Sequence, residues 1–235
     1  SDVYKRQEYI DTSRVAVGGH SFGGVVASQY VSTNPERIDA VIYFASYPFI
    51  APVVGQNVGT FTGKLLTIAG SEDTDTDSTA AWDGYEAYTS ASCRAWYYIE
   101  GMGHAGFADY SHPTQVVGSI GRADATSTIR HLLISFLESE FKGDNLANCY
   151  FTQPDSYLTS IRNYENDCAY TADCEQPENL SVNAAGNVAT FTWEANSFAD
   201  LTQIQYRINP ANGGGGNGTA IVPGGINLKN INGLT

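Results

Sequence analysis

Three side chains in this 235-residue chain have the types and spacing that acyl-transfer chemistry requires: Ser21, Asp73 and His104. Ser21 is the centre of Gly19-His20-Ser21-Phe22-Gly23, and His104 lies in the glycine-flanked run Gly101-Met102-Gly103-His104-Ala105-Gly106. A serine hydroxyl attacks a carbonyl only if a neighbouring base takes its proton, and that base needs a third group to hold its tautomer. His104 is the candidate base: it would deprotonate Ser21 and then protonate the leaving alcohol. The acid follows Gly70, where Glu72, Asp73, Asp75 and Asp77 crowd together. Position favours Asp73, while the other three remain open as acids or as residues that solvate the loop. The backbone N–H of Phe22 is the candidate donor to the developing oxyanion.

These groups need elements that bring them to one place. Val15–Val17 reads as a short strand feeding the serine, and Phe22–Thr33 as a helix that Asn34-Pro35 ends. Ser21 then stands at a helix N-terminus, beside unpaired amide donors. A Cβ at Gly19 or Gly23 is expected to collide in so tight a strand–turn–helix junction. Lys64–Ala69 and Arg94–Glu100 read as further strands, so the acid and the histidine both leave strand carboxyl ends, where open α/β sheets hold their sites. Ile38–Ala45 is a continuous apolar run suited to a strand buried on both faces, and Ser78–Ser90 suits a crossover helix. Ile129, Leu132, Leu133, Phe136, Leu137 and Phe141 mark one face of an amphipathic helix closed near Gly143. Residues 46–63 are too few for a helical cap, which suits an open cleft and bulky or polymeric esters.

Between Arg14 and about Gly143 the sequence resembles the C-terminal half of an α/β-hydrolase. The residues that carry the likeness are GHSFGG (19–24), FASYP (44–48), LLTIAGSED (65–73) and IEGMGHAGFADY (99–110). The chain order serine, acid, histidine is that of this family. ASYP together with GHAGFADY is similar to the compact, lidless branch of dienelactone-hydrolase-like, chlorophyllase-like and polyester-hydrolase-like enzymes. The resemblance implies Ser21 as nucleophile, His104 as base, Asp73 as acid and an acyl-enzyme mechanism without cofactor. A serine nucleophile argues against true dienelactone hydrolases, which use cysteine, and against relatives that use aspartate. The fold class expected is α/β, a partial hydrolase sheet with helices, followed by a small incomplete all-β module. In this family the second oxyanion donor comes from a loop after an earlier strand, which these residues do not include. A fragment lacking it is expected to be poorly soluble and nearly inactive by itself.

Several other features receive plainer readings. Ser1–Gln7 reads as the translation of a sequencing-library adapter and is set aside, with residues 8–143 as the hydrolase half. The Asp73-Thr74-Asp75-Thr76-Asp77 alternation hints at a calcium loop, but Ser78 stands at the sixth place and Gly84 at the twelfth, which excludes an EF-hand. His20 reads as a structural neighbour of the serine turn, and neither His112 nor His131 is given a chemical step. His104 suits a mobile catalytic loop.

Beyond Gly143 the composition changes. Residues 144–175 are polar and hold Cys149, Cys168 and Cys174, which reads as a cysteine-containing linker with disulfides formed in an oxidising compartment. Cys149 with Cys168 is the preferred pair, with Cys93 either paired or a buried thiol; four cysteines allow three connectivities. The spacings do not suit zinc, and no metal is expected. From Pro177 the pattern alternates as β, over Asn179–Val182, Val188–Ala195 and Gln203–Ile208. PENLSV, ATFTWEA, QIQYRI and LKNINGL resemble the opening strands of a fibronectin type III-like sandwich over residues 176–235, with Trp193 as its core tryptophan. Gly213–Gly216 reads as a loop, and Asn179-Leu180-Ser181 and Asn217-Gly218-Thr219 are glycosylation sequons.

The net charge is −13, about −7 before Asp144 and −6 after it. An acidic surface disfavours nucleic acid and anionic membranes as partners, and no apolar run reaches the ~18 residues of a membrane span. The expectation is a secreted serine hydrolase of carboxylic esters or polyesters, with a β module that attaches it to a polymer or surface. The alternatives are an adhesion protein that keeps a hydrolase scaffold, and a serine peptidase or acyltransferase with the same three residues.

Overall fold

Apolar runs of five to seven residues set the architecture, because strands this rich in branched side chains must be covered on both faces. The computed structural model describes residues 12–48, 56–109, 114–154, 158–168, 178–185, 188–194, 201–207, 217–223 and 228–232. In chain order the first unit contains β1 (Ala16–His20), α1 (Phe22–Thr33), β2 (Ala40–Phe44), β3 (Lys64–Gly70), α2 (Ser78–Glu86) and β4 (Cys93–Ile99). A single turn of 3-10 helix over His104–Phe107, then α3 (Arg122–Leu137), α4 (Asn145–Thr152) and β5 (Ile161–Asn166), complete it. The sheet order is β1-β2-β3-β4-β5, parallel from β1 to β4. The expected partial hydrolase sheet is therefore present, and its carboxyl ends share one edge.

Strand alternation divides the core in two. Ile42, Leu66, Ile68, Ala95, Tyr97 and Ile99 face one side, against Leu132 and Phe136 of α3 and Phe151 of α4. Val41, Tyr43, Leu65, Ala69 and Trp96 face the other, with Val31 of α1 and Ala81 and Tyr85 of α2. The stripe expected on the last large helix packs as a core face: Leu132 and Phe136 are fully buried, and Ile129, Leu133, Leu137 and Phe141 lie against them. That helix ends in a wider turn over Glu138–Lys142 and closes at Gly143 in the left-handed region, φ 68°. Among the described residues no helix is long and apolar enough to cross a membrane.

Residues 145–152 and 161–166, within the stretch read as a linker, form α4 and β5. Asp144 caps α4, its carboxylate accepting from the Ala147 N–H at 2.8 Å. β5 joins the sheet antiparallel to β4, with Ala95 opposite Asn166 and Tyr97 opposite Tyr164. Its sequence, Ile-Arg-Asn-Tyr-Glu-Asn, is polar because an edge strand exposes part of its surface, so composition alone resembles a loop. Continuing that register by two residues puts Cys93 opposite Cys168, and these two form a disulfide. The preferred Cys149–Cys168 pair is thereby corrected; Cys149 is itself disulfide-bonded. Arg94 and Asp167, one residue further in, add an ion pair at 2.9 Å.

The second compact unit runs from Asp173 to Thr235. It holds an antiparallel sheet of order β10-β7-β6 and a hairpin β8-β9, over β6 (Glu178–Ala185), β7 (Val188–Glu194), β8 (Leu201–Arg207), β9 (Asn217–Pro223) and β10 (Leu228–Asn232). Ser1–Gln7, His112, Cys174, the Gly213–Gly216 loop and the Trp193 side chain lie outside the described residues.

Candidate active site

The serine turn is built by close approach of backbones. Ser21 has φ 55° and ψ −128°, a strained conformation for a residue with a side chain. The turn is fixed by Ser21 N–H donating to Phe44 O at 3.0 Å, and by Ser46 Oγ–H donating to Ser21 O at 2.5 Å. A Cβ on Gly19 would stand 2.2 Å from the Gly23 carbonyl carbon, so glycine is required there. At Gly23 the expected collision is absent, since nothing lies within 4 Å of a Cβ. The second glycine that must stay small is Gly24, whose Cβ would meet Ser46 Oγ at 2.3 Å. Phe22 occupies the first helical position, where the N–H has no intrahelical acceptor, and its ring is 75% exposed.

The acid loop resolves which carboxylate serves which purpose. Asp73 Oδ2 lies 2.9 Å from His104 Nδ1, and both side chains are only 2% exposed. The other oxygen, Oδ1, accepts from the N–H groups of Asp75 and Thr76, each at 2.9 Å. Two of the competitors, Glu72 and Asp77, are occupied elsewhere. Glu72 accepts from Ser119 N–H at 2.8 Å and Ser119 Oγ–H at 2.5 Å, and these bonds hold its carboxyl below the usual range. Asp77 caps α2 through Thr79 N–H at 2.8 Å. Asp75 is exposed and contributes its main chain. Ligand atoms of Asp73, Asp75 and His104 lie within 4.8 Å of one another, but Asp73 and His104 are already engaged with each other.

His104 is fastened, in contrast to the free loop its glycines suggest. Gly103 N–H donates to Val117 O at 2.8 Å and Ala105 N–H to Val116 O at 3.0 Å. Arg122 reaches the Ala105 carbonyl at 3.3 Å and also bonds that of Ala108. Gly118, φ +94°, makes this possible: a Cβ there would stand 2.1 Å from Gly101 O. Chemically, a carboxylate on Nδ1 leaves Nε2 as the proton-accepting atom of the neutral imidazole and stabilises the imidazolium. Sequence reasoning missed Thr76 and Ser46. Thr76 Oγ–H donates to Ala45 O at 2.8 Å while its N–H serves Asp73, tying the acid loop to the turn after β2. Ala45 itself has φ 46°. An Asp followed at the third place by Thr is the local signal for such a turn.

An open α/β sheet with a strained serine at a strand–helix junction, and an aspartate–histidine pair at neighbouring strand ends, defines a hydrolase-type fold. The profile of the Alpha/beta hydrolase family matches residues 2–119, and the chain belongs to that family. Among solved structures it is similar to a CIB-like hydrolase from Thermoplasma acidophilum, at 17% identity and TM-score 0.39, over 57% of this chain and 54% of that one. It is also similar to Est1E from Butyrivibrio proteoclasticus, at 16% identity and TM-score 0.34, over 46% of this chain and 59% of that one. The chain thus spans between half and three fifths of the length of these structures. No curated protein matches it.

Proposed function

We propose that this hydrolase is a serine carboxylic-ester hydrolase, with Ser21 as nucleophile, His104 as general base and then acid, and Asp73 as the group that orients His104. The observation that carries the reading is the buried Asp73–His104 contact at 2.9 Å, two acid–base partners withdrawn from water. Ser21 Oγ attacks the ester carbonyl as its proton passes to His104 Nε2. The tetrahedral intermediate collapses, the alcohol leaves with that proton, and water repeats the cycle to free the acid. Phe22 N–H is the first oxyanion donor, supported by its place at the first position of α1.

The motifs ASYP and GHAGFADY support assignment to the lidless, dienelactone-hydrolase-like branch, with bulky or polymeric esters as substrates. The disulfide between Cys93 and Cys168 supports a secreted protein. The alternating strands after Pro177 support a fibronectin type III-like module that tethers the enzyme to a polymer or a surface. The test is turnover of p-nitrophenyl esters of graded acyl length by the full-length gene product and its Ser21→Ala variant. Wild-type hydrolysis that the substitution abolishes is the expected result. Equal turnover by both would remove the mechanism, and a wild type without turnover would favour a binding protein that retains the scaffold.

A further inference from the structure

The serine turn carries a second imidazole that the mechanism above does not use. His20 is the last residue of β1, and its half-buried ring sits between two residues of the histidine loop. Its centroid is 4.5 Å from that of His104, tilted by 42°, and 5.9 Å from that of Phe107, stacked at 19°. Phe107 packs in turn on Phe44 of β2 at 6.4 Å. The ring is also hydrogen-bonded: His20 Nε2 lies 3.1 Å from the main-chain oxygen of His104. A carbonyl oxygen only accepts, so Nε2 carries the hydrogen, and a neutral His20 has this tautomer by geometry.

We propose that His20 is a positioning residue whose Nε2–H clamps the main chain of His104 to the serine turn. The clamp sets the distance and aim of the base relative to the nucleophile. The inference rests on the Ser21–His104–Asp73 reading and adds a fourth residue to it. Its logic is one of bracing. The ties of His104 through Asp73, Thr76, Val116 and Val117 run to the acid loop and to the segment before α3. None of these bonds reaches a residue of the serine turn itself. His20 is covalently adjacent to Ser21, so a bond from its ring to His104 closes the remaining side of the arrangement. Burial, and then the neighbouring charge of His104, push the His20 pKa below its ordinary value. The shift favours a neutral ring 4.5 Å from that of His104.

Two substitutions separate the clamp from simple filling of space. His20→Phe keeps an aromatic ring between His104 and Phe107 and removes the donor. His20→Gln removes the ring and keeps an N–H at comparable reach. In the full-length gene product, His20→Phe is expected to lower kcat for p-nitrophenyl esters about tenfold to hundredfold, since errors near 1 Å in placement have that effect. KM should change little, and His20→Gln should recover most of the loss. Full activity in His20→Phe would overturn the clamp, as would equal losses in both variants with unchanged thermal unfolding. A second readout does not depend on turnover: long-range proton–nitrogen NMR of the wild type should show His20 with hydrogen on Nε2 at neutral pH. Hydrogen on Nδ1 would overturn the proposal. A wild type inert towards esters would sink the triad reading itself, and the tautomer would still decide whether the clamp exists.

Discussion

The two sides of the candidate site are built differently. On the acid–histidine side, β3 and β4 lie within the sheet, the Asp73 and His104 side chains are 2% exposed, and the loops are strapped down by hydrogen bonds donated by Ser119 and Arg122 and accepted by the Val116 and Val117 carbonyls. On the serine side, β1 pairs with β2 alone among the described residues, and its residues are exposed or half-buried. Phe22, Val26 and Tyr30, at one-turn spacing on α1, are 75%, 56% and 43% exposed. On the buried side the physical reason is plain: a carboxylate and an imidazole hold each other best where water cannot compete.

That contrast can be broken from either side. Ser21→Ala removes the only nucleophile of the proposal and should lower ester turnover about 10⁶-fold, measured as kcat under single-turnover and steady-state conditions. Asp73→Asn keeps the shape of the acid loop but offers His104 the wrong partner, and a loss of about 10⁴-fold in kcat is expected with KM nearly unchanged. A smaller loss, below about tenfold, would return the acid role to Glu72 or Asp75. Gly118→Ala attacks the strapping rather than the chemistry. A Cβ 2.1 Å from Gly101 O at φ +94° should cost about 2–4 kcal/mol in denaturant unfolding. Wild-type stability in that variant would show that the strap is unnecessary.

Acid pH sharpens the comparison through stability. Burial pushes His131 of α3, on the acid–histidine side, below its ordinary pKa of 6.5, and a main-chain hydrogen bond with Tyr150 offsets part of that. The folded form therefore prefers the neutral ring. Above 6.5 both folded and unfolded states are neutral and nothing is lost; as pH falls below it the unfolded chain takes up the proton first, and stability declines until the folded pKa is passed. The unfolding temperature should fall over that window, and His131→Gln should flatten the fall. An unchanged slope would place the acid sensitivity elsewhere. The smallest effect is on the serine side: Gly23→Ala meets open space at the second position of α1 and should raise stability by roughly 0.5–1 kcal/mol in thermal melts.

What could be read in the sequence was local. Gly19, the strand before it and the helix Phe22–Thr33 announce the serine turn because steric limits act within a few residues. The glycines around His104 and the strand before it announce the histidine loop for the same reason. What could not be read depended on residues far apart. Choosing Asp73 among four acids needs the partners of the other three, and Glu72 finds Ser119 forty-seven residues away. The fastening of the histidine loop needs Gly118 against Gly101. The disulfide needs the antiparallel register of β5 on β4, and β5 is polar because it is an edge. The pentapeptide pattern suggests tight glycines at 19 and 23, whereas the close contacts are at Gly19, against the Gly23 backbone, and at Gly24, against the Ser46 side chain.

Peptide mapping after treatment with a fluorophosphonate tests the central claim most directly, because that reagent bonds covalently only to an activated hydroxyl. The account predicts a single adduct on the peptide carrying Ser21, formed rapidly in the wild type and slowed about 10⁴-fold in Asp73→Asn. An adduct on another residue, or labelling of Ser21 at equal rates in both proteins, would contradict it.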